Sequence, residues 1–231
     1  MIEVIGHRGA AGLEPENTLR SVRRAIELGV DRVETDVRVS KDGRLVIMHD
    51  ETVDRTTNGH GYVSELTFDE LRSLDAGMGE KIPTLKEILE FTMGKAKLEI
   101  ELKVPEATEP TIQLVEELNA EKDVIVISFI HDLLERVHDL SPNIKTGALF
   151  FDVPKDILQR ALKVHASSIH VYYRNVNSEL VRKAHRSGLE VAVWNPNKIE
   201  DMREMIGLDV DAIGSDRPDI LIQLLRDMGL R

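Results

Sequence analysis

The chain has 231 residues, 42% of them hydrophobic and 31% charged, with no cysteine and a formal net charge of −11 at pH 7. That length is enough for one large α/β domain or two small ones, and that composition excludes a disordered or fibrous chain. The missing cysteines exclude disulfides, thiolate metal sites and a cysteine nucleophile, and the acidic balance excludes broad electrostatic binding to nucleic acid or anionic membrane.

The first residues, MIEVIGHRGA, enter a strand-like run at once, with no basic segment leading into a long apolar one. No later run approaches the ~18 apolar residues of a membrane-spanning helix, so the expected compartment is the cytoplasm. Short β-branched runs at 2–5, 32–37, 97–102, 124–128, 146–150, 168–172, 190–194 and 211–214 predict eight strands. Amphipathic stretches at 17–28, 85–93, 111–120, 131–140, 155–164, 178–187, 199–206 and 218–228 predict eight helices between and after them. Ile112, Val115 and Leu118 show the three-to-four spacing of one apolar helix face. Gly29 and Gly188 follow the last turns of two helices, where a left-handed residue commonly ends the spiral. Strict alternation at this length predicts a (β/α)8 TIM barrel; a doubly wound open sheet shares the alternation, but size and the count of eight favour closure. No composition shift or polar linker marks a boundary, so residues 1–231 read as one domain.

One segment interrupts the alternation, a small insertion at about 40–83 after the second strand. Asp42-Gly43 lies at the centre of an apolar stretch and signals a two-residue hairpin turn. In that register Lys41 faces Arg44, and Asp36 lies opposite His49 with β-carbons roughly 5 Å apart. Thr56-Thr57-Asn58-Gly59 reads as a turn, and residues 68–74 as a short helix. Placed on the loop face of a barrel, the insertion would border the active site.

Chemistry-bearing side chains gather at predicted strand ends. Glu34 and Asp36 stand two apart, hence on one face of their strand, and Glu101 ends the adjacent barrel strand. Three oxygen donors there suit one hard divalent cation, Mg²⁺ or Ca²⁺; alternatively they are rim charges paired with Arg32, Arg38 or Lys103. Glu99 shares the face of Glu101 and, one step deeper if that face points inward, reads as a paired interior or an outward-facing acid. His7 closes the first strand beside Arg8 and Gly9, a pattern that suits a proton carrier next to a phosphate clamp. Phe129 and Trp194 follow or end strands, where they either wall a substrate pocket or fill the barrel top. His131, His138, His165 and His185 read as surface residues, and His170, in a strand, could equally well be core. No phosphate-cradling glycine loop or serine elbow is present.

In chain order the sequence carries HRG (7–9), PENT (15–18), VETDV (33–37), HD (49–50), DRTTNG (54–59), IPTL (82–85), IELK (100–103), SF (128–129), Trp194 and SDRP (215–218). This succession resembles the glycerophosphodiester phosphodiesterase family of phosphatidylinositol-phospholipase-C-like barrels over nearly the whole chain. The resemblance implies a metal-dependent phosphoric diester hydrolase that cuts glycerophosphodiesters to sn-glycerol 3-phosphate and an alcohol. It implies His7 and His49 as general acid and base, Glu34, Asp36 and Glu101 as metal ligands, and Arg8 and Lys103 as phosphate ligands, with Phe129 and Trp194 on the substrate. The partner expected is a small-molecule glycerophosphodiester, with no nucleic acid, no membrane span and the option of a homodimer. A lysophospholipase D or a cyclic-phosphate-forming enzyme on lysophospholipids is the alternative; the short, mostly polar insertion favours deacylated substrates. Asn195-Pro196-Asn197 stands where the family usually has Thr-Val-Asn, and Ser215 where it has Thr. The first departure is expected to reshape the pocket near the alcohol; the second keeps a hydroxyl.

Overall fold

The computed structural model describes residues 2–231. The first half of the chain runs β1 (Glu3–Gly6), α1 (Leu19–Leu28), β2 (Arg32–Val39), β3 (Leu45–Ile47), α2 (Phe68–Ser73), α3 (Leu85–Thr92), β4 (Lys97–Leu102) and α4 (Thr108–Glu117). The second continues with β5 (Val124–Ser128), α5 (His131–Leu140), β6 (Lys145–Phe150), α6 (Ile157–Lys163), β7 (Ser168–Tyr172), α7 (Ser178–Arg186), β8 (Glu190–Trp194), α8 (Ile199–Gly207), β9 (Ala212–Ser215) and α9 (Pro218–Asp227). Strands β1, β2 and β4–β9 pair in parallel, in the order β1-β9-β8-β7-β6-β5-β4-β2, and the parallel β1–β2 pairing closes the ring. The fold is the (β/α)8 TIM barrel that the alternation predicts.

Local chemistry sets most boundaries. Thr18 caps α1 by accepting from the Ser21 amide, and Gly29 ends that helix at φ +91°. Thr84 and Glu87 form a reciprocal capping box on α3, as Thr67 and Glu70 do on α2. The α4 helix starts three residues ahead of its predicted position because Pro110 lies in its first turn. A proline N–H is not needed there, since first-turn amides have no intrahelical acceptor.

The strands alternate with period two. Val4, Val33, Val126, Ile169, Val191 and Ile213 face outward into a continuous apolar layer beneath the helices, with Val22, Leu89, Leu134 and Leu221 among their partners. Each fully buried Leu or Ile contributes roughly 1.5–3 kcal/mol. The inward faces are partly charged. Near the bottom Arg32 is 4% exposed; it donates to Glu3, to Glu99 at 3.1 Å and to Glu190 at 3.2 Å. One guanidinium thus ties together β1, β2, β4 and β8. Burial works against its charge, but Glu99 and Glu3 outweigh that and keep it protonated. The buried His170 ring sits beside this network, its Nε2 3.0 Å from Ser168 Oγ. Gly147 makes room for it, since a Cβ there would come 2.5 Å from His170 Nε2.

The insertion differs from its expected register by one residue. Val37 pairs with Ile47, Arg38 with Val46 and Val39 with Leu45, so Asp36 lies opposite Met48, whose amide donates to the Asp36 carbonyl at 2.9 Å. The turn is a three-residue loop, because Ser40 N donates to Arg44 O and Gly43 N to Ser40 O. Gly43 closes it at φ +80°. Its Asp-Gly occupies the last two loop positions rather than forming a two-residue turn, the longer-loop arrangement built on a left-handed glycine. Beyond β3 the segment packs Met48, Val53, Val63, Leu71, Ala76 and Ile82 into a small core of its own with Val46.

Candidate active site

The C-terminal ends of the parallel strands surround a cavity of about 290 Å³. His7, Arg8, Glu34, His49, Glu101 and Lys103 line one side, and Phe129, Phe151 and Trp194 the other. Glu99, His170, Asn195 and Gly214 line it as well. A wider, more open recess of about 580 Å³ shares His49, Glu101, Lys103 and Phe129 and continues past Arg38, Glu51 and Tyr62. The charged groups therefore stand where the two recesses adjoin.

His7 follows β1, and its Nδ1 lies 2.6 Å from Asp216 Oδ1, just beyond β9. Its Nε2 is left on the inner side, 3.8 Å from Glu34 Oε2. Asp216 also accepts from Asn197 Nδ2 at 2.6 Å, while Asn197 Oδ1 accepts from Ser215 Oγ at 2.8 Å. Ser215 thus supplies the hydroxyl that the substitution for threonine retains. His49 does not arrive by cross-strand pairing with Asp36. It turns inward past the end of β3, with its carbonyl accepting from Arg38 Nε and Nη2 at 3.0 and 2.9 Å. Its Nδ1 lies 2.6 Å from Asp50 Oδ1. Burial lowers the His49 pKa, against the upward pull of Asp36. Both imidazoles are therefore fixed through Nδ1 by a carboxylate, which leaves Nε2 of each for chemistry.

Glu34, Asp36 and Glu101 each place a carboxylate oxygen within 4.8 Å of the other two. All three are buried. Glu34 Oε2 accepts from the Arg8 amide at 2.9 Å, and Glu34 Oε1 has no partner. Asp36 Oδ2 accepts from Asn17 Nδ2 at 2.8 Å. Lys103 Nζ is 2.5 Å from Glu101 Oε1 and 3.0 Å from Asp36 Oδ1, so it pairs with both acids. Burial, then repulsion from Asp36 and Glu101, pushes Glu34 well above the ordinary carboxyl range. Burial and Asp36 push Glu101 up to about 7. Asp36, although buried, is held below the usual range by Lys103 and Arg8. Repulsion among buried acids and unpaired lone pairs are what a divalent cation would relieve, so the donor set fits one.

Arg8 leaves β1 with a left-handed backbone (φ 48°). Its Nη1 donates to Glu16 at 2.8 Å, and its Nε lies 3.3 Å from Asp36 Oδ2. Burial opposes its charge, and Asp36 and Glu34 overcome that. Glu16 in turn accepts twice from Arg55 at 2.8 Å, and Arg55 donates to Asp50 at 2.7 and 3.0 Å. A chain of ion pairs thus runs from Arg8 through Glu16, Arg55 and Asp50 to His49. Sequence reasoning assigned no role to Asn17, Asp50, Arg55 or Asp216, although all four lie in the motifs PENT, HD, DRTTNG and SDRP. Opposite, Trp194 meets Phe129 edge-on at 5.7 Å, and Phe151 stacks on Tyr172 at 5.0 Å. Apart from His170, these histidines lie away from the cavity: His138 stacks on His165, His185 pairs with Asp211, and exposed His60 with Asp54.

A model of the glycerophosphoryl diester phosphodiesterase family matches residues 7–220. The sequence is similar to a glycerophosphodiester phosphodiesterase from Caldanaerobacter subterraneus, 41% identical over 239 residues and 98% of each chain. The fold matches a glycerophosphodiester phosphodiesterase crystal structure from Thermotoga maritima with TM-score 0.86, 31% identity and coverage of 97% of this chain and 98% of that one. It also matches an Oleispira antarctica phosphodiesterase solved in complex with the product sn-glycerol-3-phosphate, with TM-score 0.92, 28% identity and coverage of 97% and 96%.

Proposed function

The chain belongs to the glycerophosphoryl diester phosphodiesterase family and is a phosphoric diester hydrolase; we propose that it hydrolyses glycerophosphodiesters to sn-glycerol 3-phosphate and an alcohol, with one divalent cation and a histidine pair. The observation that carries this reading is the buried Glu34–Asp36–Glu101 cluster, with Glu34 Oε1 unpaired, beside two imidazoles each fixed by a carboxylate at 2.6 Å. Those three carboxylates would hold Mg²⁺ or Ca²⁺, which when bound supplies positive charge for the phosphoryl oxygens.

The remaining chemistry belongs to the chain itself. A phosphodiester gains negative charge as phosphorus is attacked, and Arg8 and Lys103 at the cavity wall stabilise it. One of His7 and His49 takes the proton of the attacking hydroxyl through Nε2, and the other protonates the departing alkoxide. Asp216 and Asp50 set the two tautomers and hold the rings in place. Phe129 and Trp194 shield the reacting centre on the apolar side.

The attacking oxygen in our scheme is the glycerol 2-hydroxyl. Its attack forms a bond to phosphorus and breaks the bond to the alcohol; water then opens the cyclic phosphate, and its proton passes through histidine to the 2-oxygen. A substrate lacking the 2-hydroxyl tests this step, because normal turnover of such a diester would require direct attack by water. The decisive test of the whole reading is release of sn-glycerol 3-phosphate from glycerophosphocholine, lost in chelator and restored by Mg²⁺ or Ca²⁺. Full activity after exhaustive chelation would remove the cation from the scheme.

A further inference from the structure

Among the described residues, the lysines and arginines that are not exposed nearly all meet a carboxylate: Arg8, Arg32, Arg72, Lys103, Arg217 and Arg231 each do so. Arg38 is the exception, a half-buried guanidinium with no ion pair. Withdrawing a cation from water without a partner charge costs free energy, so its retention needs another cause. Its Nε and Nη2 both donate to one acceptor, the His49 carbonyl, at 3.0 and 2.9 Å. That carbonyl lies beyond the end of β3, and no backbone amide donates to it. Just before it, the Met48 amide donates to the Asp36 carbonyl at 2.9 Å; just after, the Glu51 carbonyl accepts from the Val63 amide at 2.9 Å. Between those two points only Arg38 reaches the main chain.

We propose that Arg38 is a positioning residue: its guanidinium fork fixes the His49 backbone, and with it the place of the imidazole relative to the carboxylate cluster. This inference rests on the reading above in which His49 carries a proton. Glu34, Asp36 and Arg38 stand two residues apart on β2, so one strand face carries two acids of the cluster and the clamp on the histidine. The spacing between the proton carrier and the acids is thereby set by a barrel strand, not by the long excursion that follows His49. Arg38 and His49 also share the wall of the wider recess, so packing does not confine the histidine on that side. Two N–H groups converging on one oxygen restrain it in more than one direction, which a single bond from an ammonium does not.

Asp50 does not make this clamp redundant. It turns the ring through Nδ1, and Arg55 steadies Asp50 in turn. Those two side chains are 29% and 48% exposed, and exposed ion pairs hold with only about 0–1 kcal/mol. Both also belong to the excursion itself and move with it, whereas Arg38 ties the excursion to the barrel. The rate is sensitive to such a tie, because misplacing a reacting group by about 1 Å can cost on the order of 10²-fold. A competing role for Arg38 is direct attraction of the phosphate. Against it, two of its N–H groups are spent on the His49 carbonyl, while Arg8 and Lys103 already stand beside Asp36 at 3.3 and 3.0 Å. The two roles differ in what they require of His49.

The test is a double-mutant cycle on the full chain in Mg²⁺, with glycerophosphocholine as substrate. Arg38→Met keeps the apolar stem and removes every donor. It should lower kcat roughly 10–100-fold, with KM within about twofold of the natural value. In a His49→Ala background the same substitution should cost less than about twofold more, because the group it positions is gone. Equal losses in the two backgrounds overturn the inference, since action on the phosphate or general damage to the barrel would produce them. So does an unchanged kcat, or a raised KM at unchanged kcat. Arg38→Lys keeps the charge, gives up the fork and serves where the methionine variant does not fold; it should still lose roughly tenfold in kcat, and only when His49 is present. Natural activity in the lysine variant overturns the inference as well. If the natural protein fails to cleave glycerophosphocholine, the hydrolase reading fails and this inference falls with it; if it cleaves normally, only the cycle bears on Arg38.

Discussion

Glu101→Gln should stabilise the protein without metal and abolish its response to metal. In the folded chain Glu101 is pushed up to about 7 from an ordinary 4.5 by burial and by Asp36. A carboxyl raised in this way is protonated in both states at low pH, where it contributes nothing. Above pH 4.5 the unfolded chain gives up its proton first, so the folded state loses stability until its own pKa is passed. A rise from 4.5 to about 7 corresponds to about 3 kcal/mol at pH 8, with 1.4 kcal/mol per pH unit. Asp36 adds no slope in this range, because its lowered pKa keeps it ionised in both states above pH 5. His49 and His170, both lowered by burial, oppose the trend, since the unfolded chain binds their protons more readily below pH 6.5. Comparing the variant with the natural chain at each pH cancels their contribution. In chelator the two proteins should melt together at pH 4, and the glutamine variant should melt roughly 6 °C higher at pH 8, at about 2 °C per kcal/mol for this length. With Mg²⁺ or Ca²⁺ the order should reverse, because only the natural chain keeps all three oxygen donors. Equal melting of both proteins at pH 8 in chelator, or equal stabilisation of both by the cation, would refute the reasoning.

The other expectations concern single groups. His7→Ala and His49→Ala should each lower kcat on glycerophosphocholine by roughly 10²–10⁴-fold at an unchanged melting temperature; near-normal turnover would remove that histidine from the scheme. Arg55→Ala should lower kcat roughly 10–100-fold by loosening Arg8 and His49 together, while exposed ion pairs of this kind contribute only about 0–1 kcal/mol to stability. Arg55→Lys should recover little, because one ammonium cannot bridge Glu16 and Asp50 as the guanidinium does; full activity of the alanine variant would show the ion-pair chain to be idle. Gly147→Ala should lower the melting temperature by roughly 2–6 °C, since the new methyl meets His170 and Ser168 and overpacking costs about 1–3 kcal/mol. An unchanged melting curve would mean that His170 can move aside.

The barrel was legible because each strand and helix carries its own period, and the eightfold alternation follows from local pattern alone. Register was harder. Asp42-Gly43 announces a hairpin, but whether the pair fills a two-residue turn or closes a three-residue loop depends on Ser40 reaching Arg44. That choice moves every pairing by one residue, and with it the partner of Asp36. The start of α4 was also missed by three residues, because Pro110 is harmless in a first turn. At the site, strand-end spacing placed Glu34, Asp36 and Glu101 together. Asp216 and His7 lie 209 positions apart, and only barrel closure between β1 and β9 brings them within 2.6 Å. No local pattern encodes that.

Glu99 and Glu101 show what separates a structural charge from a functional one. They share a face of β4, two residues apart, and both are buried, so residue type and period cannot distinguish them. Glu99 meets Arg32, a cation that three acids from three strands converge on, and every member of that group has a partner. One layer higher, the acids face cations that do not satisfy all of their oxygens: Lys103 pairs with Glu101 and Asp36 and Arg8 lies beside Asp36, while Glu34 Oε1 has no partner. A buried charge cluster complete in itself closes the barrel, because breaking it would strand an uncompensated ion. A cluster left incomplete is destabilising until something binds. The site is therefore marked less by the presence of acids and bases than by the deficit they leave.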